Sequence, residues 1–237
     1  MNLILLFADD FDAHGHAILR DSRRLDHICK VHRAKLGDTL RVGLVDGLMG
    51  SGEIIAMDGQ QITLQVSLTE PVPPPSNIHL ILGLPRPPML KRTLQTIAAL
   101  GVKQLTLLQS ARVEKSYWQS PQLQPQKIHE ELLLGLEQGC DTQFPTIHTA
   151  KRFRPFVEDQ LSELIQDHDA LLAHPYVTTP CPTSTNKSTL LAIGPEGGFI
   201  DNEIAMLSEA GFTGVTLGRR IMRVETVVPY LLGRLGG

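Results

Sequence analysis

The stretch LLAIGPEGGFIDNEIAMLSEAGF, residues 190–212, decides the fold because it joins an apolar run to a glycine-rich loop and then to a helical pattern. We predict a buried strand over Thr189–Ile193 and a helix over Asp201–Ala210. Between them, three glycines at positions 194, 197 and 198 let another molecule approach the main chain closely. The segment Gly194–Gly198 is therefore either a binding loop or a tight strand-to-helix turn.

Alternating strands and helices surround this stretch and predict a mostly parallel sheet with helices on both faces. The further strands are predicted at 78–84, 104–110, Ala170–Ala173 and Gly214–Leu217, and the further helices at Pro88–Leu100, Pro125–Gln138 and from about Val224. Three loops follow the last three strands, at 173–175, 194–198 and 217–226. Because parallel strands end at one edge of a sheet, we expect these loops to build one pocket.

A proline-rich segment divides the chain into two predicted domains. The linker is 71–76, within EPVPPPSN, and prolines at this density form a stiff connector. Residues 1–70 are predicted to form a small β-barrel, and residues 77–237 the parallel-sheet domain. The barrel strands are predicted at 3–8, Thr39–Val45, Gly52–Met57 and Gln61–Leu68, with Asp-Gly turns at 46–47 and 58–59 and one helix around Leu25–Arg33.

The composition indicates a soluble globular protein. Hydrophobic residues make up 42% of the 237 residues, and no stretch approaches the roughly 18 to 20 apolar residues of a membrane helix. Three cysteines without CxxC spacing argue against a disulfide framework and a zinc site, and favour a reducing cytoplasm. His14 and His16 could ligate a metal, but without further ligands nearby we expect surface histidines and no metal.

Charge and motif content narrow the ligand class. The net charge is −3. Between His14 and Arg41, however, the sequence has seven Lys or Arg and only three Asp, and this local excess of positive charge indicates either a phosphate-binding face or a solvated basic helix. Neither the dinucleotide nor the P-loop fingerprint occurs, and no nucleophile motif accompanies the pocket. A glycine-lined, backbone-rich pocket suits a bent adenosine-type ligand.

Several segments resemble the ribosomal RNA small-subunit methyltransferase E family, which belongs to the trefoil-knotted SPOUT superfamily. LLAIGPEGGF (190–199), EAGF (209–212) and LGRRIMRVET (217–226) look like its signature. The resemblance spans the chain: HICKVHRAKLGD (27–38) is similar to the family's PUA-like barrel, and the segments 84–102, 110–118 and 136–138 to further family motifs.

The resemblance implies a knot in which the segment 217–226 threads a loop formed by earlier strands. It further implies S-adenosylmethionine as methyl donor, a homodimer, and methylation of uridine N3 in 16S ribosomal RNA, free or within the small ribosomal subunit. Carried over by position, the cofactor contacts are Leu172, Ala173, His174, Ile193, Gly194, Pro195, Glu196, Gly197, Gly198, Leu217, Gly218, Ile221, Met222 and Arg223.

Methyl transfer from a sulfonium needs mainly positioning, and a cation can stabilise charge that develops on the uridine oxygens. We assign that role to Arg223, with Glu225 orienting it or taking the proton; the alternative is a structural Arg–Glu pair at the start of the last helix. The predicted RNA contacts are Arg23, Arg24, Arg33, Arg86 and Arg112, and Tyr117 with Trp118 could stack on a base.

Two alternatives stay open at this point. The family commonly has Gly-Arg-x-Arg where this chain has Cys140, Asp141, Thr142 and Gln143, which favours a different RNA target with the same fold and cofactor. Val224, Val227 and Pro229 also differ from the family pattern, and the proline should kink or shorten the first turns of the last helix. The other alternative is a non-catalytic RNA-binding or assembly protein.

Overall fold

The computed structural model describes residues 2–166, 168–185 and 187–236. The chain divides into two compact units, residues 1–74 with 133–144 and residues 75–132 with 145–237. The break at Pro74 falls within the proline-rich segment, and the segment 133–144 belongs to the first unit although it lies far along the chain.

The first unit contains a five-stranded sheet. Its strands are β1 (Ile4–Leu6), β2 (His16–Leu19), β3 (Thr39–Leu44), β4 (Met49–Met57) and β5 (Ile62–Glu70), in the order β1-β3-β4-β5-β2. β1 is parallel to β3, and the other ladders are antiparallel. Among the described residues no ladder joins β1 to β2, so the closed barrel stays a prediction.

The two Asp-Gly sequences lie at the predicted hairpin turns of this unit. Asp46 has a φ of 56° and Gly59 a φ of 84°, the left-handed geometry that tight hairpin turns require. The predicted helix is α1 (Ser22–Asp26), which Asp21 caps by accepting the Arg24 N–H at 3.0 Å. It continues as a π-type turn over His27–His32 and ends at Arg33, whose φ is 53°.

The second unit is built on a six-stranded, fully parallel sheet. Its strands are β6 (Ile78–Gly83), β7 (Gln104–Leu108), β8 (Thr146–Ala150), β9 (Asp169–Ala173), β10 (Thr189–Ile193) and β11 (Thr213–Val215), in the order β11-β9-β10-β6-β7-β8. The predicted parallel sheet is confirmed, although β8 at its edge was not predicted.

Helices connect these strands. They are α2 (Pro87–Ala99), α3 (Pro125–Gly139), α4 (Phe153–Pro155), α5 (Leu161–Ile165), α6 (Asp201–Glu209) and α7 (Val224–Leu235); α3 contributes Pro125–Leu132 to the second unit and its remainder to the first. α7 begins at the predicted residue and runs through Pro229 to Leu235, so the expected shortening is wrong: the proline removes only one helix donor.

The register of the last strands places their ends level with one another. Ala173 pairs with Ile193 on one side and with Val215 on the other. Buried side chains from β6 to β10, with Phe156, Phe199 and Phe212, form an apolar core under this edge. The loops that leave β9, β10 and β11 therefore begin side by side on a packed base.

Candidate active site

A cavity of about 860 Å³ lies at the edge where β9, β10 and β11 end. Its wall comes from the three loops predicted to build a pocket, together with the start of α2, the loop after β7 and the first turn of α7. Its size lies within the roughly 300 to 1,000 Å³ range of small-molecule sites. The arrangement of three loops around one pocket is present as expected.

Nearly all of the predicted cofactor residues line this cavity. They are Ala173, His174, Ile193, Gly194, Pro195, Glu196, Gly197, Gly198, Leu217, Gly218, Ile221, Met222 and Arg223. Leu172 differs, because it is fully buried within the apolar core of the sheet and does not line the cavity. Its side chain supports the strand beneath the site, and direct contact with a ligand through that side chain is excluded.

The loop Gly194–Gly198 (hereafter the glycine loop) is a tight turn with an exposed backbone. The Gly198 N–H donates to the Pro195 carbonyl at 2.7 Å, and Gly198 has a φ of 71°. A Cβ on Gly194 would lie 2.8 Å from the Phe199 nitrogen, so no larger residue fits there. The two readings of this segment are thus combined: it is a tight turn, and its backbone lines a cavity.

Gly83, at the end of β6, also shapes the site, and the sequence analysis did not single it out. A Cβ at this position would lie 2.4 Å from Pro195 Cδ and 2.6 Å from Pro195 N. The glycine loop therefore rests directly on the backbone of β6. The sequence signal that could have identified Gly83 was a glycine near the end of the predicted apolar strand 78–84.

Glu196 ties the glycine loop to the start of α2. Its Oε1 accepts the Arg86 backbone N–H at 3.0 Å. Arg86 is the N-cap residue of α2, and a carboxylate near a helix N-terminus is favoured by the helix dipole. One carboxylate oxygen of Glu196 is thus bonded to the main chain of α2 rather than to an amide of its own loop.

The catalytic candidates Arg223 and Glu225 both line the cavity. The Arg223 side chain is 86% exposed, Glu225 is 23% exposed, and Arg223 Nη1 lies 3.9 Å from Glu225 Oε1. Arg223 caps α7 through its backbone carbonyl, which accepts the N–H groups of Thr226 and Val227 at 2.9 Å. Because the cap uses main-chain atoms and the ion pair is long, the guanidinium stays available to a ligand.

Two ring-bearing residues follow β9 along the cavity wall. The rings of His174 and Tyr176 stand edge to face with centroids 5.5 Å apart, and Tyr176 is 78% exposed. Burial lowers the pKa of His174 below its ordinary value, against an opposing effect of Asp201. The lowered pKa favours the neutral imidazole. Tyr176 is an exposed aromatic side chain at the cavity that sequence reasoning missed.

The predicted RNA contacts fall into three groups. Arg86 and Arg112 are exposed and line the cavity. In the first unit Arg33 is exposed, whereas Arg23 makes two hydrogen bonds to the buried carboxylate of Glu137, at 2.5 and 3.0 Å. Burial raises the pKa of Glu137, and the charge of Arg23 opposes that effect.

Arg24 is not available to a phosphate. It is buried, and its guanidinium donates to both carboxylate oxygens of Asp10 at 2.6 and 2.8 Å, to the Leu5 carbonyl at 3.0 Å and to Asp21. The expectation that Arg24 contacts RNA is therefore corrected: this side chain joins three segments of the first unit.

The aromatic pair Tyr117 and Trp118 is engaged within the second unit. Trp118 Nε1–H donates to Gln109 Oε1 at 2.5 Å, and the Lys151 ammonium lies 5.7 Å from its ring centroid. The Tyr117 hydroxyl donates to Glu114 at 3.0 Å. These contacts give Trp118 a structural role; a role in base stacking stays a prediction.

The described ranges contain neither a metal-type cluster of side chains nor a membrane-spanning helix. Across residues 2–166, 168–185 and 187–236, no group of three or more His, Cys, Asp or Glu side chains has the arrangement of a metal site. Within the same ranges, no helix has the length and apolar character needed to cross a bilayer.

Comparison with known proteins gives consistent matches. A family profile described as an RNA methyltransferase domain matches residues 72–236. Ribosomal RNA small subunit methyltransferase E of Treponema pallidum is 32% identical over 231 residues, which cover 94% of this chain and 86% of that protein. The protein of the same name from Buchnera aphidicola is 25% identical over 232 residues, covering 92% of this chain and 86% of that protein.

Two solved structures share the fold over nearly the whole chain. Ribosomal RNA small subunit methyltransferase E from Neisseria gonorrhoeae, bound to S-adenosyl methionine, superposes with a TM-score of 0.73 at 19% identity and covers 97% of this chain and 95% of that one. Lpg2936 from Legionella pneumophila, in complex with the bound cofactor SAM, has a TM-score of 0.75 at 24% identity, with 98% and 95% covered.

Proposed function

Because this chain belongs to the ribosomal RNA small subunit methyltransferase E family, we propose that it transfers a methyl group from S-adenosylmethionine to ribosomal RNA. The observation that carries the proposal is the cavity built by the three loops after β9, β10 and β11, with an exposed glycine backbone and an accessible Arg223.

The residues present fit S-adenosylmethionine. Gly198 has open space where a side chain would stand, with only Arg112 Nη1 at 3.9 Å, so a ligand can reach the main chain of the glycine loop. The cavity also combines apolar walls such as Ile193 and Met222 with the carboxylates of Glu196 and Asp201, which can receive hydroxyl or ammonium groups. When bound, the cofactor supplies an electrophilic methyl group on its sulfonium sulfur.

We propose uridine N3 as the acceptor atom. Loss of the N3 proton spreads negative charge over the ring and its two carbonyl oxygens, and the Arg223 guanidinium can donate hydrogen bonds to such oxygens. Glu225 Oε1 lies 3.9 Å from Arg223 Nη1, and in this proposal its carboxylate orients Arg223 or takes the N3 proton. The side chains thus hold the base and stabilise its charge, while positioning supplies much of the remaining rate.

Within the second unit we propose Arg86 and Arg112, at the cavity, as RNA contacts. Within the first unit, taken by itself, we propose Arg23 and Arg33, without Arg24. Arg23 keeps its ion pair with Glu137, so part of the positive charge that it offers to RNA is neutralised. The first unit as a PUA-like RNA-binding barrel, and the knot formed by 217–226, belong to the same proposal.

A different RNA target is the second candidate, and the segment 140–143 favours it. Asp141 and Thr142 are buried, and the Thr142 hydroxyl donates to the Gly47 carbonyl at 2.7 Å. The two positions where the family commonly carries arginines are 141 and 143; here Asp141 is buried and its Oδ1 accepts the Gln143 N–H at 2.9 Å. Loss of these cations changes which RNA is held without altering the cavity.

We also propose a homodimer through the second unit. On the apolar last helix α7, Tyr230 is 50% exposed and is available to the same face of a second copy. Two-fold pairing of one patch with itself is the commonest oligomer geometry. Light scattering should return about 52 kDa, twice the chain mass of 26.1 kDa; a mass of one chain at micromolar concentration would contradict the dimer.

Titration calorimetry with S-adenosylmethionine, followed by a methyl-transfer assay on ribosomal RNA and on small subunits, tests the proposal. We expect saturable binding and incorporation of labelled methyl into one of the two substrates. Binding of the cofactor and of RNA without transfer would instead support a non-catalytic assembly protein.

A further inference from the structure

The loop that follows β7, Gln109–Val113 (hereafter the β7 loop), contacts the glycine loop through Arg112, which was proposed above only as an RNA contact. Arg112 Nη1 donates a hydrogen bond to the Gly197 carbonyl oxygen. The aliphatic part of the same side chain lies against Gly197, because a Cβ there would stand 3.1 Å from Arg112 Cβ and 3.0 Å from Arg112 Cδ. Arg112 thus both covers Gly197 and holds its carbonyl.

The β7 loop itself is fixed from two sides. Glu203, on α6, is buried at 4% exposure; its Oε1 accepts the Ala111 N–H at 2.7 Å and its Oε2 accepts the Ile200 N–H at 3.0 Å. The Gln109 side-chain amide donates to the carbonyls of Ser110 and Val113 at 2.6 and 3.1 Å. A carboxylate that receives two backbone donors binds both strongly, so Arg112 starts from a rigid base.

The held carbonyl controls the part of the loop that faces the cavity. The Gly197 carbonyl and the Gly198 N–H belong to one planar peptide group, and that N–H already donates to Pro195 at 2.7 Å. With both ends of the peptide bonded, its plane cannot rotate without breaking a hydrogen bond. Glycine on both sides would otherwise make this peptide the softest point of the turn.

We propose that Arg112 is a positioning residue, which clamps the Gly197–Gly198 peptide in the orientation that binds the cofactor. The identity of the ligand rests on the proposed function, whereas the clamp itself concerns the free protein. This role differs from a phosphate contact, since the donor that Arg112 directs to Gly197 is committed before any RNA arrives.

Three substitutions separate the parts of the contact. Arg112→Met keeps the stem over Gly197 but removes the donor, Arg112→Lys keeps a single donor, and Arg112→Ala removes both. Arg154→Met is the matched control, because Arg154 is an exposed arginine of the same unit whose Nη1 pairs with Glu158 at 3.0 Å, outside the cavity.

The first readout is hydrogen exchange of the Gly198 amide without ligand. Loss of one hydrogen bond is expected to speed its exchange about 3- to 10-fold in Arg112→Met. Calorimetry with S-adenosylmethionine should show an affinity lowered by a similar factor, a larger loss in Arg112→Ala, and partial rescue in Arg112→Lys. Arg154→Met should have the Gly198 exchange rate and the cofactor affinity of the unsubstituted protein. The melting temperatures of all the variants should stay close to that of the unsubstituted protein.

Two results would overturn the clamp. In the first, Arg112→Met has the same Gly198 exchange rate and the same cofactor affinity as the unsubstituted protein, and only its affinity for RNA is reduced. That result would assign Arg112 to RNA binding. The other is a lowered melting temperature with normal exchange of Gly198. If the unsubstituted protein does not bind S-adenosylmethionine, the proposed function fails, while the exchange measurement still decides the clamp.

Discussion

Replacing Gly83 with alanine adds one methyl group beneath the glycine loop and tests how the site is supported. The new Cβ would lie 2.4 Å from Pro195 Cδ, 2.6 Å from Pro195 N and 3.2 Å from the Gly194 carbonyl carbon. Carbon atoms in contact normally stand about 3.5 to 4.0 Å apart. Pro195 must therefore move by about 1 Å, and its ring prevents relief through φ.

The size of the effect follows from this displacement. Overpacking of one methylene or methyl costs about 1–3 kcal/mol, and at about 2–4 °C per kcal/mol for a chain of this length the melting temperature falls by about 2–12 °C. A shift of about 1 Å in a binding group can lower turnover by about 100-fold. Gly83→Ala should thus lower turnover by up to about 100-fold in a protein that still folds.

Thermal unfolding, cofactor titration and methyl transfer on the same preparation measure these effects. Gly233→Ala is the control: nothing lies within 4 Å of a Cβ there, and alanine in a helix interior is about 0.5–1 kcal/mol more favourable than glycine. Unchanged melting temperature and unchanged cofactor affinity in Gly83→Ala would refute the direct packing of β6 on the glycine loop.

Arg223→Ala should lower single-turnover rate about 10² to 10³-fold with little change in melting temperature, and Arg223→Lys should recover only part of the rate; near-normal turnover would end the catalytic assignment. Arg24→Ala should destabilise the first unit by about 3–5 kcal/mol, because it leaves the Asp10 carboxylate, which is only 12% exposed, without its partner, whereas Arg33→Ala should weaken RNA binding without changing stability. Burial lowers the pKa of His79 from 6.5 to about 4, so as the pH falls the unfolded chain binds the proton before the folded chain does. The stability that the neutral His79 contributes is therefore lost as the pH falls from about 6.5 toward 4. Melting curves of His79→Gln should depend less on pH over that range.

The glycine loop and the main strands could be predicted because their signals are local. Thr189–Ile193 is a continuous apolar run, and it forms β10 with the predicted bounds. β8, Thr146–Ala150, escaped prediction because it is an edge strand with mostly exposed side chains and no apolar run. β2 is four residues long and equally lacks a local signal.

The supports of the site could not be predicted because their partners lie far away in sequence. Glu203 reads as an ordinary first-turn acid of α6, and only the fold brings the Ala111 N–H to it. From the sequence, Arg24 is one of several basic residues expected at the surface. In the structure it is buried and donates hydrogen bonds to Asp10 and to the Leu5 carbonyl. Periodicity distinguishes faces of a helix, but it does not tell which charged side chain on a face will find a buried partner.

The most direct test of the proposed activity is nucleoside mass spectrometry after reaction with S-adenosylmethionine that carries a deuterated methyl group. The substrates are small subunits and ribosomal RNA from a strain that lacks this protein, and the standards are 3-methyluridine and the other methyluridines. We predict a deuterated methyl group on one uridine, eluting with 3-methyluridine, and its absence with Arg223→Ala. Label on another nucleoside would contradict N3 of uridine, and no label on either substrate would contradict the methyltransferase activity itself.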